Sequence, residues 1–241
     1  MHIHELDIVH QDFHPGNILS NDFKLSSIKI SDFGLSKLMG TNPNNPEKKN
    51  IFGVLPYIAP EVLSGDEEYT KAADVYSFGI IAYEMITGFP PYPDIPHDND
   101  LAMKICNGLR PKIPFNIPKL TTKMIMRCWD ARVSHRPTFK ELYNGLGKCY
   151  IDYYNNENAE IRIQIENSEK LSKNLRLKNS TTTTTLNYQT HPQAIYTSRL
   201  LNFSKLPKPK NEENFKRELE ELTNSTSALS IVASKLHVPD F

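Results

Sequence analysis

The sequence predicts a mostly helical lobe, with short strands gathered around one polar loop and a disordered tail behind it. Three observations predict this. Between residues 70 and 87 the apolar positions Ala72, Val75, Phe78, Ala82, Tyr83 and Ile86 recur at helical spacing. Two short apolar runs, 17–20 and 28–31, bracket a polar turn at Asn21-Asp22 and follow directly on the loop. Beyond Tyr150 the pattern dissolves into Asn-rich runs, the threonines 181–185 and Lys-Pro repeats near 207–210, which bury little at any regular period.

Taken in order, residues 1–9 read as the last turns of a helix that delivers the chain into the loop 10–17. The stretch 41–50 is rich in Pro and Asn and reads as a mobile surface loop. The helix over 70–87 has Thr70 as its N-cap and Gly88 as its stop, and apolar residues on several faces, which suits burial through the core. A shorter helix over 100–107 ends at Gly108, and another runs from about 120 to 129. A last one starts at Thr138, where Thr138 and Glu141 stand at capping-box spacing. The reading divides the chain into a lobe over 1–149 and a low-complexity, mostly disordered tail over 150–241, with room for a helical extension at its start.

Composition narrows the function. The 28 Lys and Arg balance the 28 Asp and Glu, which argues against a nucleic-acid or anionic-membrane partner held by bulk charge. Three widely spaced cysteines, Cys106, Cys128 and Cys149, form no Cys-x-x-Cys pair and read as reduced structural thiols. No apolar run approaches a membrane span, and the start lacks the basic and apolar regions of a signal peptide. The expected location is intracellular and cytoplasmic.

The chemistry sits in His10-Gln11-Asp12-Phe13-His14-Pro15-Gly16-Asn17. A carboxylate and an amide stand five residues apart on a loop broken by proline and glycine. The carboxylate can take a proton from an attacking hydroxyl, and an amide oxygen can ligate a hard cation such as Mg²⁺. Fifteen residues after Asn17 comes Asp32, followed by Phe33 and Gly34 at the end of a short strand. Base and two metal ligands are the parts a phosphoryl-transfer site needs. Taken alone, the loop also reads as a turn with polar capping residues.

Further motifs follow in order: Tyr57-Ile58-Ala59-Pro60-Glu61, then Asp74-Val75-Tyr76-Ser77-Phe78-Gly79, then Cys128-Trp129 and His135-Arg136-Pro137-Thr138-Phe139. With these, residues 1 to about 149 resemble the large carboxy-terminal lobe of a eukaryotic protein kinase. The Cys-Trp and Arg-Pro-Thr-Phe pairings look most like the tyrosine-kinase-like branch. The resemblance implies ATP and Mg²⁺ as cofactors and a protein hydroxyl as acceptor, serine or threonine rather than tyrosine. It makes Asp12 the base, with His14 beside it where serine/threonine kinases carry lysine. Asn17 and Asp32 become metal ligands, and Leu19 an apolar floor under the adenine, or else ordinary strand core. His10, Phe33 and Gly34 join the loop to the magnesium motif. Asp74 binds backbone amides of the loop, and Glu61 pairs with Arg136. The exposed lobe face or the tail would take a protein partner.

Several features depart from the family. Gln11 stands where arginine usually precedes the base, and Val54 where a threonine hydroxyl is usual. The Gly-rich phosphate loop, the lysine strand and its paired glutamate do not occur in the sequence, so the resemblance implies an incomplete domain. A lobe without catalysis, serving as a binding or scaffolding module, is the alternative. The loop is also similar to that of aminoglycoside and choline kinases, but those lack the Asp-Phe-Gly, Ala-Pro-Glu and Arg-Pro-Thr-Phe series.

Overall fold

The computed structural model describes residues 2–20, 28–39, 51–179, 190–203 and 205–224. The expected turn at Asn21-Asp22, the loop 41–50 and the threonines 181–185 lie outside the described residues.

The long helix α2, Lys71–Thr87, is the axis of the lobe. Tyr76, Ile80 and Ile81 are fully buried on it and belong to one core with Leu55, Ile58, Leu101, Ile105 and Ile125. Around it lie α1 (Pro60–Ser64), α3 (Asn99–Cys106) and α4 (Lys119–Cys128). Gly88 closes α2 with φ of 74°, a left-handed conformation that costs glycine nothing. Thr70 occupies the N-cap position but makes no capping bond. On α3, by contrast, Asp98 accepts from the amides of Asp100 and Leu101. The capping box expected at the start of α5 (Phe139–Asn155) is complete. Thr138 accepts from the Glu141 amide, and Glu141 accepts from the Thr138 amide.

The strands are short and pair in twos. β1 (Ile8–Val9) runs antiparallel to β4 (Lys37–Leu38), and β2 (Ile18–Ser20) to β3 (Ile28–Ile30), with Ile18 opposite Ile30. β5 (Ile51–Gly53) pairs with β6 (Arg199–Leu201). Residues 2–9 are not the end of an α-helix: a 3₁₀ turn over His2–Leu6 gives way to β1, because pairing with β4 draws the chain out.

The described part of the stretch after 149 begins with the helical extension and holds more structure than its composition suggests. Helix α5 carries the chain past the expected boundary to Asn155, and α6 (Glu160–Asn179) follows. Residues 190–203 and 205–224 then return to the lobe, the second ending in a helix over 215–224, here α7. Leu201 and Phe215 are buried in the main core. Gly108 shows how close the return is: with φ of 106°, a side chain there would meet the Glu212 amide nitrogen at 2.5 Å. The polar composition hid this because few apolar anchors, far apart in sequence, suffice for docking. No described helix is long and apolar enough to cross a membrane.

Candidate active site

The loop 10–17 is held from below by one buried carboxylate. Asp74, near the start of α2, accepts from the backbone amides of His10 (2.9 Å) and Gln11 (3.3 Å), from the Tyr69 hydroxyl (3.0 Å) and from His4 Nε2 (2.8 Å). A carboxylate buried without donors would be costly; here four donors offset that cost and lock the loop to the core helix. Gln11 takes the left-handed conformation, φ 69°, between these anchored neighbours.

His10 is wholly buried and joins the two acidic motifs. Its Nε2 donates to the carbonyl of Ser31 (2.9 Å), while Nδ1 faces the Asp12 amide at 3.4 Å. The Phe33 ring lies tilted on it, centroids 5.0 Å apart. Phe33 is nonetheless 45% exposed rather than packed in a core.

Asp12 is buried and faces His14. The His14 Nδ1 accepts from the Gly16 amide (3.1 Å), which leaves Nε2 turned to Asp12 Oδ1 at 3.6 Å. Burial pushes the Asp12 pKa up, but the hydrogen bond and charge of His14 and the hydroxyl of Ser198 outweigh it. The net shift is downward, and the group is a carboxylate at neutral pH. Oδ1 has no hydrogen-bond partner among the described residues. A buried carboxylate oxygen with an unfilled acceptor position can take a further hydrogen bond.

Asn17 donates its amide N–H to the Asp12 carbonyl at 2.9 Å, so its amide oxygen is left on the other side. The Ser31 amide donates to the Asn17 carbonyl at 2.9 Å, extending the pairing of β2 and β3. That register sets Asp32 beside Asn17. Asp32 is exposed, with φ of 58°, and among the described residues its Oδ1 takes the Gly34 amide at 3.3 Å. Two oxygen donors and no more suit Mg²⁺, which keeps waters and substrate phosphates as its other ligands. Among the described residues there is no cluster of three His, Cys, Asp or Glu that could hold a metal without such help. Leu19 is 54% exposed on β2, so it is not strand core.

Away from the loop, Arg136 and Glu61 meet as a buried fork, both nitrogen–oxygen distances 2.7 Å. Sequence reading missed three participants. Tyr69 and His4 complete the Asp74 site, and a tyrosine five residues before an acid carries no local signal of it. Ser198, 186 positions further along the chain, helps hold the Asp12 pKa down, which only tertiary structure reveals.

The profile of the protein tyrosine and serine/threonine kinase family matches residues 1–146. The chain belongs to that family. It is similar to a probable serine/threonine-protein kinase of Dictyostelium discoideum, 34% identical over 153 residues, covering 62% of this chain and 11% of the relative. To the dual specificity protein kinase shkE of the same organism it is 35% identical over 147 residues, covering 61% and 20%. To its probable serine/threonine-protein kinase pats1 it is 33% identical over 144 residues, covering 58% and 4%. The chain therefore spans a fifth or less of these relatives' length.

Proposed function

We propose that this lobe serves transfer of the ATP γ-phosphate to a protein hydroxyl, serine or threonine in preference to tyrosine, in the manner of the tyrosine-kinase-like branch. The observation that carries it is the Asp12 carboxylate, buried, ionised and with one oxygen unpaired. Asp12 would orient the acceptor hydroxyl and take its proton, while the His14 Nε2 stands by the same carboxylate. Asn17 and Asp32 would hold Mg²⁺, which when bound neutralises charge on the transferring phosphates. The exposed side chain of Leu19, on the strand after Asn17, fits the floor of an adenine site. Residues 1–149 would act as the catalytic unit and the protein would work inside the cell, where ATP is present.

The test measures Mg²⁺-dependent transfer of labelled γ-phosphate to a generic protein substrate. Because the chain covers a small part of its relatives, the assay is run on the chain and on a chimera that adds a related kinase's small lobe. Transfer in the chimera should fall by about 10²–10⁴-fold in Asp12→Asn, the usual contribution of a positioned acid–base group. A chimera that binds ATP yet transfers nothing would favour a binding module instead.

A further inference from the structure

The segment 190–201 crosses the front of the candidate site. Its strand β6 lies antiparallel to β5 in the register Ile51–Leu201, Phe52–Leu200 and Gly53–Arg199. β5 ends against the base: a side chain built on Gly53 would stand 3.4 Å from Asp12 Oδ1. The residue preceding Arg199 is therefore carried past Gly53 toward Asp12, and the Ser198 hydroxyl is among the groups that hold the Asp12 pKa down.

The segment is fastened on both sides of Ser198. Upstream, the His191 amide donates to the Pro93 carbonyl (2.8 Å), the His97 amide to the Gln193 carbonyl (2.9 Å), and the Tyr196 hydroxyl to the Pro91 carbonyl (2.8 Å). The Tyr196 ring stands edge-on to His97 at 4.8 Å. Downstream, Arg199 donates to the His97 carbonyl and Leu201 is buried in the core. Addition of an extended segment to an exposed strand is a recurring way of recognising peptides.

We propose that residues 190–201 are a tethered, substrate-like strap, with Ser198 at the phosphoacceptor position, which closes the site to other polypeptides until a phosphate on Ser198 expels it. The proposal rests on the phosphotransfer reading above. With a nucleoside triphosphate bound, the Ser198 oxygen would form the new bond to the γ-phosphorus as the bond to the nucleoside diphosphate breaks, and its proton would pass to Asp12. The product sets a dianionic phosphate beside the Asp12 carboxylate, and repulsion between them lifts the strand.

Amide hydrogen exchange on the full chain tests the strap without any need for catalysis. Amides of Ile51–Gly53 and Arg199–Leu201 should exchange slowly in the wild type and in Ser198→Ala. With phosphoserine installed at 198 during translation, they should exchange at least about tenfold faster, while α2 stays protected as the control for folding. Adding Asp12→Asn to the phosphorylated chain should restore protection to within about threefold, because the repelling charge is gone. If phosphoserine also exposes α2, the comparison is read in Ser198→Asp. Fast exchange in the wild type, no effect of the phosphate, or the same effect with Asp12→Asn would each overturn the strap. Failure of the transfer assay with the exchange pattern intact would overturn only the phosphotransfer reading.

Discussion

Outside the loop 10–17, the buried charges Glu61, Asp74, Asp130 and Arg136 each have hydrogen-bond partners. Arg136 shows it best: besides the fork to Glu61, its Nε donates to the Asp130 carbonyl (2.7 Å) and Nη1 to the Ala72 carbonyl (3.0 Å). The guanidinium also lies over the Tyr76 ring, 5.1 to 5.2 Å being the range shared with Arg110. Truncation would leave the Glu61 carboxylate buried and unpaired. Arg136→Ala should therefore cost about 3–5 kcal/mol in urea denaturation at neutral pH. A loss under about 0.5 kcal/mol would mean that Glu61 finds water or another donor. Lysine would not substitute fully, since a single ammonium cannot reproduce the fork.

Among the elements, α2 and α4 cross in close contact. Gly79 lets the two helices approach so closely that a methyl there would meet Cys128 Cβ at 2.7 Å. Two effects of Gly79→Ala compete. Alanine favours the helix by up to about 1 kcal/mol, while overpacking costs about 1–3 kcal/mol. The neighbour is a Cβ fixed to a helix backbone and cannot swing aside, so the second effect should win. Thermal unfolding of Gly79→Ala should show a lowered Tm, and an unchanged or raised Tm would show that α4 can shift. The same contact buries the Cys128 thiol, and burial pushes its pKa up to about 12.

At the scale of the molecule, the returning segment is pinned at Asn211. Its Nδ2 donates to Asp130 Oδ1 and its Oδ1 accepts from the Ala131 amide, both at 2.7 Å. Burial raises the Asp130 pKa, but the Arg132 bonds and the Asn211 amide prevail and the net shift is below 3.8. A lowered folded pKa adds stability that is present above the ordinary value and is lost as pH falls through the folded one. Asn211→Ala should cost about 1–3 kcal/mol at neutral pH through its two bonds. The gap to wild type should narrow as pH falls below 3.8, where Asp130 protonates. Urea denaturation at several pH values measures this, and a gap independent of pH would show that the Asp130 bond adds nothing.

What could be read in the sequence was whatever short-range chemistry encodes. The loop 10–17, the helix over 71–87 and the capping box at Thr138 follow from turn residues and periodic burial within a few tens of positions, while the joint role of Asn17 and Asp32 came through family resemblance. The pairing of Glu61 with Arg136 was legible only through family resemblance, because nothing local joins residues 75 positions apart. Tertiary structure alone decided the rest. It left Phe33 half uncovered, brought His4 and Tyr69 to Asp74, and laid 190–203 and 205–224 back on the lobe. Residues 190–203 carry no helical period of their own, whereas Phe215, Leu219 and Leu222 stand at helical spacing over 215–224. The placement of both segments is set by the surfaces they meet, such as β5, the His97 carbonyl and Gly108, and a chain's own sequence states a surface only once the fold has made it.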